Sequence, residues 1–195
     1  KPEGATNYPD YYSKIRSYVS IISNEAKVLD PDATPCTFNV ISSTEEDSVF
    51  RYWDSASSRS NISAVSAKLS MNRVAIIGMG GTGSYILDLV AKTPIREIHL
   101  FDGDIFHQHN AFRAPGAPSI AVLEEKPFKV DYFSGIYDAM RTGIVPHNYF
   151  LTGSNIHELS GFDFVFVCVD KGAVRRIVSD FLHIQKIPFI DVGME

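Results

Sequence analysis

Residues 73–84 read RVAIIGMGGTGS, an apolar run that passes directly into a glycine-rich turn. The run favours a buried strand, and SYILDLVAK (84–92) has the pattern of a helix. Glycines between a strand and a helix permit a tight turn and let backbone N–H groups approach a phosphate at the start of the helix. The stretch therefore predicts a nucleotide-binding turn. Its candidate binding residues are Gly78, Gly80, Gly81, Gly83 and Ser84.

Strand and helix patterns alternate after this turn. Further strands are predicted in REIHLFD, VPHNYFL, FDFVFVCVD and IPFIDVG, and helices in KPFKVDYFSGIYDAM and GAVRRIVSDFLHIQK. Alternation of this kind implies βαβ units around a mainly parallel sheet. We expect an α/β domain with a Rossmann-like, doubly wound sheet over residues 71–195. Since the chain starts at Lys1 and stops directly after a predicted core strand, we expect it to be a fragment.

A helical segment is predicted before this domain, over residues 1–70. Apolar side chains recur at three- and four-residue steps from Tyr11 to Ala26, which predicts an amphipathic helix. Asp30-Pro31 is expected to end it, because proline disfavours the helical conformation in the preceding residue. The rest of the segment is predicted, in chain order, as an extended piece (37–43), a helix (44–53), a serine-rich turn (55–61) and a helix through Leu69.

Composition excludes several classes of protein. Hydrophobic residues make up 45% of the chain, too many for a disordered protein, and a net charge of −5 argues against nucleic acid or anionic membrane as the main partner. The apolar runs are too short to cross a membrane, and the N-terminus has no signal-peptide pattern. Cys36 and Cys168 form no disulfide framework, and Cys168 is predicted to be a buried thiol. We expect a soluble, cytoplasmic protein.

Charged and amide side chains follow the second predicted strand. FDGDIFHQHNAFR (101–113) contains Asp102, Asp104, Asn110 and Arg113, and Asp170 ends a later strand. In an open α/β sheet, this carboxyl edge is where ligands bind. The glycine turn and Asp102 alone do not separate an NAD site from an ATP site. Nucleotidyl transfer, however, needs cations and Mg²⁺ around the phosphates, whereas hydride transfer does not.

In their order and spacing, GMGGTGS, FDGDIFHQHNAFR and the VD of CVDK resemble the ThiF/MoeB/HesA family, relatives of the ubiquitin-activating enzymes, over about residues 72–195. The resemblance implies an ATP-dependent adenylyltransferase that uses Mg²⁺. Its implied substrate is the C-terminal carboxylate of a ubiquitin-like or sulfur-carrier protein, and its implied assembly is a homodimer. The N-terminal segment is similar to the one that precedes this domain in a bacterial subgroup.

The resemblance also implies roles for single residues. Asp102 would bind the ribose of ATP, and Asp170 would handle Mg²⁺. A lysine at the start of the next helix would assist, with Lys129 preferred and Lys126 as the alternative. The residues implied to bind the nucleotide are Gly78, Gly80, Gly81, Gly83, Ser84, Asp102, Asp104 and Asn110. Those implied to be catalytic are Arg113, Lys129, Asp170 and Arg59, the last supplied across a dimer, with Arg51 as second candidate.

Two positions depart from the family pattern. Lys171 stands where the family's T-D-N motif has asparagine, and Ala114 stands where a glutamine is usual. Lys171 either adds affinity for phosphate or marks a site that has drifted. Two alternatives therefore stay open: an NAD(P)-binding oxidoreductase domain and a non-catalytic, nucleotide-binding interaction module. The family's catalytic-cysteine loop and CxxC zinc pairs would lie beyond residue 195.

Overall fold

Residues 7–34 and 48–192 are described by the structure, which is a computed structural model. The chain divides into two compact units, residues 1–40 and 41–195. In the first unit, helix α1 (Tyr11–Leu29) begins where the Asp10 carboxylate accepts a hydrogen bond of 2.6 Å from the backbone N–H of Ser13. It ends directly before Asp30-Pro31, as predicted.

The second unit alternates strands and helices. The strands are β1 (Arg73–Ile77), β2 (Glu97–Phe101), β3 (Ile144–His147), β4 (Phe164–Val167) and β5 (Phe189–Asp191). The α-helices are α2 (Ser55–Arg59), α3 (Ser63–Ser66), α4 (Gly81–Val90), α5 (Gln108–Ala111), α6 (Ile120–Glu125), α7 (Lys129–Asp138) and α8 (Gly172–Gln185). Two 3₁₀ helices cover Ala67–Leu69 and Ile156–Leu159. Within residues 7–34 and 48–192, no helix combines the length and apolar character needed to cross a membrane.

The five strands form one parallel sheet in the order β3-β2-β1-β4-β5. Ile77, at the end of β1, lies opposite Phe101 of β2 and Val167 of β4. This confirms the expected Rossmann-like, doubly wound architecture. Because all strands run in the same direction, their carboxyl ends meet at one edge of the sheet. The strand order reverses between β1 and β4, and a crevice for a ligand forms at such a switch point.

Helices cover both faces of the sheet. Alternate residues of β1 point to opposite faces: Val74 and Ile76 pack with α4 and α7, and Ala75 and Ile77 pack with α8 and the second 3₁₀ helix. Both sides of β1 are therefore buried, which explains its continuous apolar sequence. This packing holds β1 in place and so positions the glycine turn, which follows it, at the edge of the sheet.

The segment before α2 differs from the prediction. Residues 48–53 are not helical, because Phe50 forms an antiparallel bridge with Arg141. Flanking backbone hydrogen bonds of 2.8 and 2.9 Å join residues 49 and 51 to residues 142 and 140. The predicted turn at 55–61 was also wrong in part, since α2 begins there, capped by the Asp54 carboxylate. The predicted extended piece at 37–43 and the start of the predicted helix at 44–47 lie outside the described residues.

Arg141 is fully buried at the amino edge of the sheet. Its guanidinium donates hydrogen bonds to backbone carbonyl groups, and it forms no ion pair with a carboxylate among the described residues. The accepting carbonyls are those of Ala91, Thr93, Ile95, Arg96 and Thr142. Burial lowers the pKa of Arg141 to about 10. The side chain thereby holds the connection between α4 and β2 against the start of β3.

Candidate functional site

A cavity of about 840 Å³ opens at the carboxyl edge of the sheet, beside the β1–β4 switch point. It brings together side chains and glycines from the ends of β1, β2 and β4 and from the starts of α4 and α7. Among the residues predicted from sequence, those that line it are Gly78, Gly80, Gly81, Asp102, Asp104, Asn110, Arg113, Lys129 and Asp170.

The glycine turn folds closely on itself. Gly78 has a φ of +91°, and a Cβ atom there would lie 2.9 Å from the carbonyl oxygen of Cys168. A Cβ atom on Gly83 would lie 1.9 Å from the carbonyl oxygen of Gly78. Gly83 and Ser84 do not line the cavity; the hydroxyl of Ser84 donates to the carbonyl of Gly81 and secures the first turn of α4. The turn thus presents the backbone N–H groups at the start of α4 to the cavity, where they suit an anion.

The Asp102 carboxylate joins this turn to the loop after β2. Its Oδ2 accepts a hydrogen bond of 2.7 Å from the backbone N–H of Met79, and its Oδ1 accepts one of 2.8 Å from that of Asp104. The residue is buried, but it borders the cavity. Each carboxylate oxygen can accept a further hydrogen bond, so Asp102 is suited to bind hydroxyl groups such as those of a ribose.

Lys129, the first residue of α7, is buried beside these acids. Its Nζ lies 2.7 Å from Oδ2 of Asp104 and 3.6 Å from Oδ2 of Asp102. Lys126, the alternative lysine, ends α6 in the left-handed conformation (φ +51°) and does not line the cavity. Of the two lysines, the geometry therefore places Lys129 at the cavity.

Asn110 and Arg113 provide hydrogen-bond donors on one side of the cavity. Asn110 lies on the one-turn helix α5, where its Oδ1 accepts a hydrogen bond of 2.9 Å from the backbone N–H of His107. Its amide nitrogen makes no hydrogen bond within the described residues. The exposed guanidinium of Arg113 likewise pairs with no group in the part of the chain that the structure describes. Both are available to a ligand.

The opposite side of the cavity is formed by residues after β3 and β4. Asp170 and Lys171 both line it, and the Nζ of Lys171 lies 5.4 Å from the ring centroid of Phe150. The ring of Phe150 packs so closely on Gly103 that a Cβ atom there would be 2.9 Å from it. Phe150 was not predicted from sequence. It lay inside the predicted strand VPHNYFL (145–151), but β3 ends at His147, and the loop that follows reaches across β2 and β1.

Cys168 borders the same cavity as a partly buried thiol. Burial raises the pKa of this thiol to about 12, so it stays protonated at neutral pH. Cys168 was predicted to be buried; it is partly buried, and a protonated thiol of this kind is a poor nucleophile.

The two candidate arginines from the N-terminal side do not line this chain's own cavity. Arg59 is the last residue of α2. Arg51 forms an ion pair of 2.7 Å with the carboxylate of Asp138, at the end of α7. A role for either in the same protomer therefore has no geometric support, and a role across a dimer stays a prediction.

Residues that could hold a metal ion are sparse. Residues 7–34 and 48–192 contain no group of three or more His, Cys, Asp or Glu side chains placed to bind one. Proteins commonly bind Mg²⁺ through one or two carboxylates together with substrate phosphates. Asp170 is such a carboxylate at the cavity, so the donor set fits Mg²⁺ that arrives with a nucleotide.

Comparison with known proteins gives two family matches. The model of the ThiF family matches residues 55–195, and a domain of unknown function (DUF6791) matches residues 1–55. None of the curated proteins matches the chain.

Solved structures share the fold. E. coli TcdA, a tRNA N6-threonylcarbamoyladenosine dehydratase, is 19% identical, with 69% of this chain and 57% of TcdA covered at a TM-score of 0.59. E. coli MccB, solved with MccA, is 21% identical, with 68% of this chain and 39% of MccB covered at a TM-score of 0.60. The chain thus spans little more than half of TcdA and about two fifths of MccB. Since the family model covers most of its length, the chain belongs to the ThiF family.

Proposed function

We propose that the chain binds ATP in the cavity at the β1–β4 switch point and adenylates a carboxylate substrate. The observation that carries the proposal is that one crevice contains a glycine turn, several cations and Asp102, an acid suited to bind ribose hydroxyls. Membership of the ThiF family supports it, and TcdA and MccB have each been solved with ATP.

In this proposal the nucleotide lies across the end of β1. The N–H groups at the start of α4 bind phosphate oxygens, and Asp102 accepts hydrogen bonds from the ribose. Arg113 and the amide of Asn110 donate to the phosphates from one side. Lys129 adds positive charge while it holds Asp104 in place. Mg²⁺, when bound, neutralises phosphate charge, and Asp170 is the residue that would hold it.

The chemistry needs little acid–base assistance. A substrate carboxylate is already ionised at neutral pH. Its oxygen attacks the α-phosphorus, the bond from that phosphorus to the bridging oxygen breaks, and pyrophosphate leaves with the bonding electrons. The products are an acyl-adenylate and pyrophosphate. Positioning and stabilisation of phosphate charge supply the rate, which suits a site rich in cations and backbone donors.

The finer assignment rests on the family resemblance. We propose the C-terminal tail of a ubiquitin-like or sulfur-carrier protein as the substrate. We further propose a homodimer in which Arg59, or else Arg51, reaches the partner's site from the segment over residues 1–70. Isotope exchange between pyrophosphate and ATP, dependent on such a tail, is the reaction that tests this assignment. A cytoplasmic location belongs to the same proposal.

Arg113→Ala tests the nucleotide site. We expect the Kd for Mg-ATP, measured by calorimetry, to rise about tenfold, because a hydrogen bond to a charged phosphate is lost. Arg176→Ala is the matched control, since Arg176 is an exposed arginine of α8 whose ion-pair partner is Asp180, outside the cavity. It should leave the Kd unchanged. Saturable NADH binding that Mg-ATP does not displace would contradict the proposal and favour an oxidoreductase.

Lys171→Asn tests whether the lysine contributes to binding. We expect a rise of about threefold to tenfold in the Kd for Mg-ATP, largest at low salt, because a cation that lines the cavity is removed. Lys186→Asn removes a charge at the end of α8, where φ is +57° and asparagine is well tolerated. Equal affinities for the two variants, compared across a salt series, would show that Lys171 does not contact the phosphates.

A further inference from the structure

A row of hydrogen-bonded side chains crosses one face of the sheet beside the cavity. Nε2 of His99 lies 3.2 Å from Oε2 of Glu97, and Nδ1 of His99 lies 2.9 Å from Nε2 of His147. Nδ1 of His147 lies 3.0 Å from the hydroxyl of Tyr149, which donates to Oε2 of Glu158. The row thus contains four contacts and ends at both sides on a carboxylate.

Aromatic packing holds the two histidines in this geometry. The ring of His147 stacks on that of Phe101 with centroids 4.2 Å apart and an interplanar angle of 5°. His99 is buried, stacks on His147 and meets the edge of Phe162. Burial lowers the pKa of both histidines, so both are neutral at pH 7.

The number of available hydrogens determines which group donates and which accepts in each contact of the row. Each neutral histidine supplies one N–H, and Tyr149, whose pKa burial raises to about 12, supplies its O–H. Three donor hydrogens are therefore available for four contacts. In one of the contacts, two acceptor atoms must face each other without a hydrogen between them. Glu97 is the end that tolerates this, because it is solvent-exposed and its Oε2 lies 3.3 Å from Nε of Arg73. Tyr149 then donates to Glu158, and both histidines carry their hydrogen on Nδ1.

The end of the row that contains His147 and Tyr149 adjoins the nucleotide cavity. The backbone carbonyl of His147 accepts a hydrogen bond of 3.2 Å from the N–H of Asp102, the residue proposed to bind the ribose. Residues 150–152 follow Tyr149 directly and line the cavity. An anchor on the Tyr149 hydroxyl therefore limits the movement of one cavity wall and of the strand end that places Asp102.

We propose that His147 and Tyr149 are positioning residues for nucleotide binding, fixed by a hydrogen-bond row that runs from His99 to Glu158. The inference rests on the proposed ATP site and adds to it a set of side chains that do not line the cavity. It also predicts a spectroscopic property that packing alone does not require, namely that both rings are in the Nδ1–H form. Tyr149 is the acceptor for His147, and His147 is the acceptor for His99.

Tyr149→Phe tests the row in the full chain, because it removes one oxygen and keeps the ring. Without the tyrosine, Nδ1 of His147 has no acceptor, and the reversed direction becomes better because His99 can donate to Glu97. We expect ¹H–¹⁵N spectra of the histidine rings to change from Nδ1–H to Nε2–H at both residues. The backbone amide signals of residues 150–152 should shift with them.

The functional readout is the affinity for Mg-ATP. Tyr149→Phe should raise the Kd about threefold to tenfold, the range of a single hydrogen bond. Tyr132→Phe is the matched control: Tyr132 stacks on Phe106 outside the cavity, and its hydroxyl has no hydrogen-bond partner in the described ranges. It should leave the Kd and the ring spectra unchanged.

The outcomes separate this inference from the proposed function. Nε2–H rings in the unaltered chain, or an unchanged Kd in Tyr149→Phe, would overturn the positioning role. If the unaltered chain binds no ATP, the proposed function fails instead. The ring spectra and the amide signals of residues 150–152 then still decide, without ligand, whether the row fixes that wall.

Discussion

Gly83→Ala is expected to weaken the binding of Mg-ATP about 100-fold. The new methyl group would sit 1.9 Å from the carbonyl oxygen of Gly78, whereas Cβ atoms essentially never come within 3.0 Å of such an atom. The turn must therefore open by roughly 1 Å, and losing two backbone hydrogen bonds to phosphate, at about 1.5 kcal/mol each, costs about two orders of magnitude in affinity. Calorimetric titration with Mg-ATP measures the loss.

Gly135→Ala is the control for this substitution. Gly135 also lies within a helix, α7, and apart from the adjacent helix backbone no atom lies within 4 Å of the position that its Cβ would take. Alanine there should leave ATP affinity unchanged and raise the free energy of unfolding by about 0.5–1 kcal/mol, since glycine is a poor helix former. A Gly83→Ala variant that binds ATP as tightly as the Gly135→Ala variant would show that the turn does not hold the nucleotide.

Arg141→Leu is expected to lower the free energy of unfolding by about 3–5 kcal/mol, because several buried acceptors lose their donor and each costs about 1–3 kcal/mol. The guanidinium donates hydrogen bonds to the carbonyls of the α4–β2 connection, and leucine leaves those carbonyls buried without a donor. Urea unfolding followed by circular dichroism measures the change.

The matched control is Arg176→Leu. The side chain of Arg176 is 85% exposed, and its contact with Asp180 on the same helix is a surface ion pair. Such a substitution typically changes the free energy of unfolding by less than about 0.5 kcal/mol. If the two variants unfold at the same urea concentration, the carbonyls around Arg141 must have found other donors, and its proposed structural role fails.

The sequence predicted those parts of the fold that local pattern determines. The apolar run of β1, the glycine turn and the helix after it are contiguous, and the acid at the end of β2 needs only the knowledge that parallel strands share an edge. These predictions required no information on which strands are neighbours. The choice of Lys129 came from the family resemblance, and its contact with Asp104 was not predicted.

Features that depend on distant pairing were missed. The row through His99 and His147 exists because β3 lies beside β2, and alternation of strands and helices does not state that order. The helix predicted over residues 44–53 was wrong for residues 48–53, since that backbone bonds to residues about 90 positions later. Phe150 was overlooked for the same reason. In each case the decisive partner lies far away in sequence.

The bridge between Phe50 and Arg141 affects how this chain can be divided. Residues 48–54 fall inside the match to the domain of unknown function, yet they belong to the unit that carries the nucleotide cavity. A protein trimmed at the family boundary, or given a different N-terminal domain there, would lose the backbone partner of residues 140–142. It would also lose the phenylalanine whose ring centroid lies 5.9 Å from the buried guanidinium. The unit that can be exchanged between proteins therefore begins before residue 48, not at residue 55.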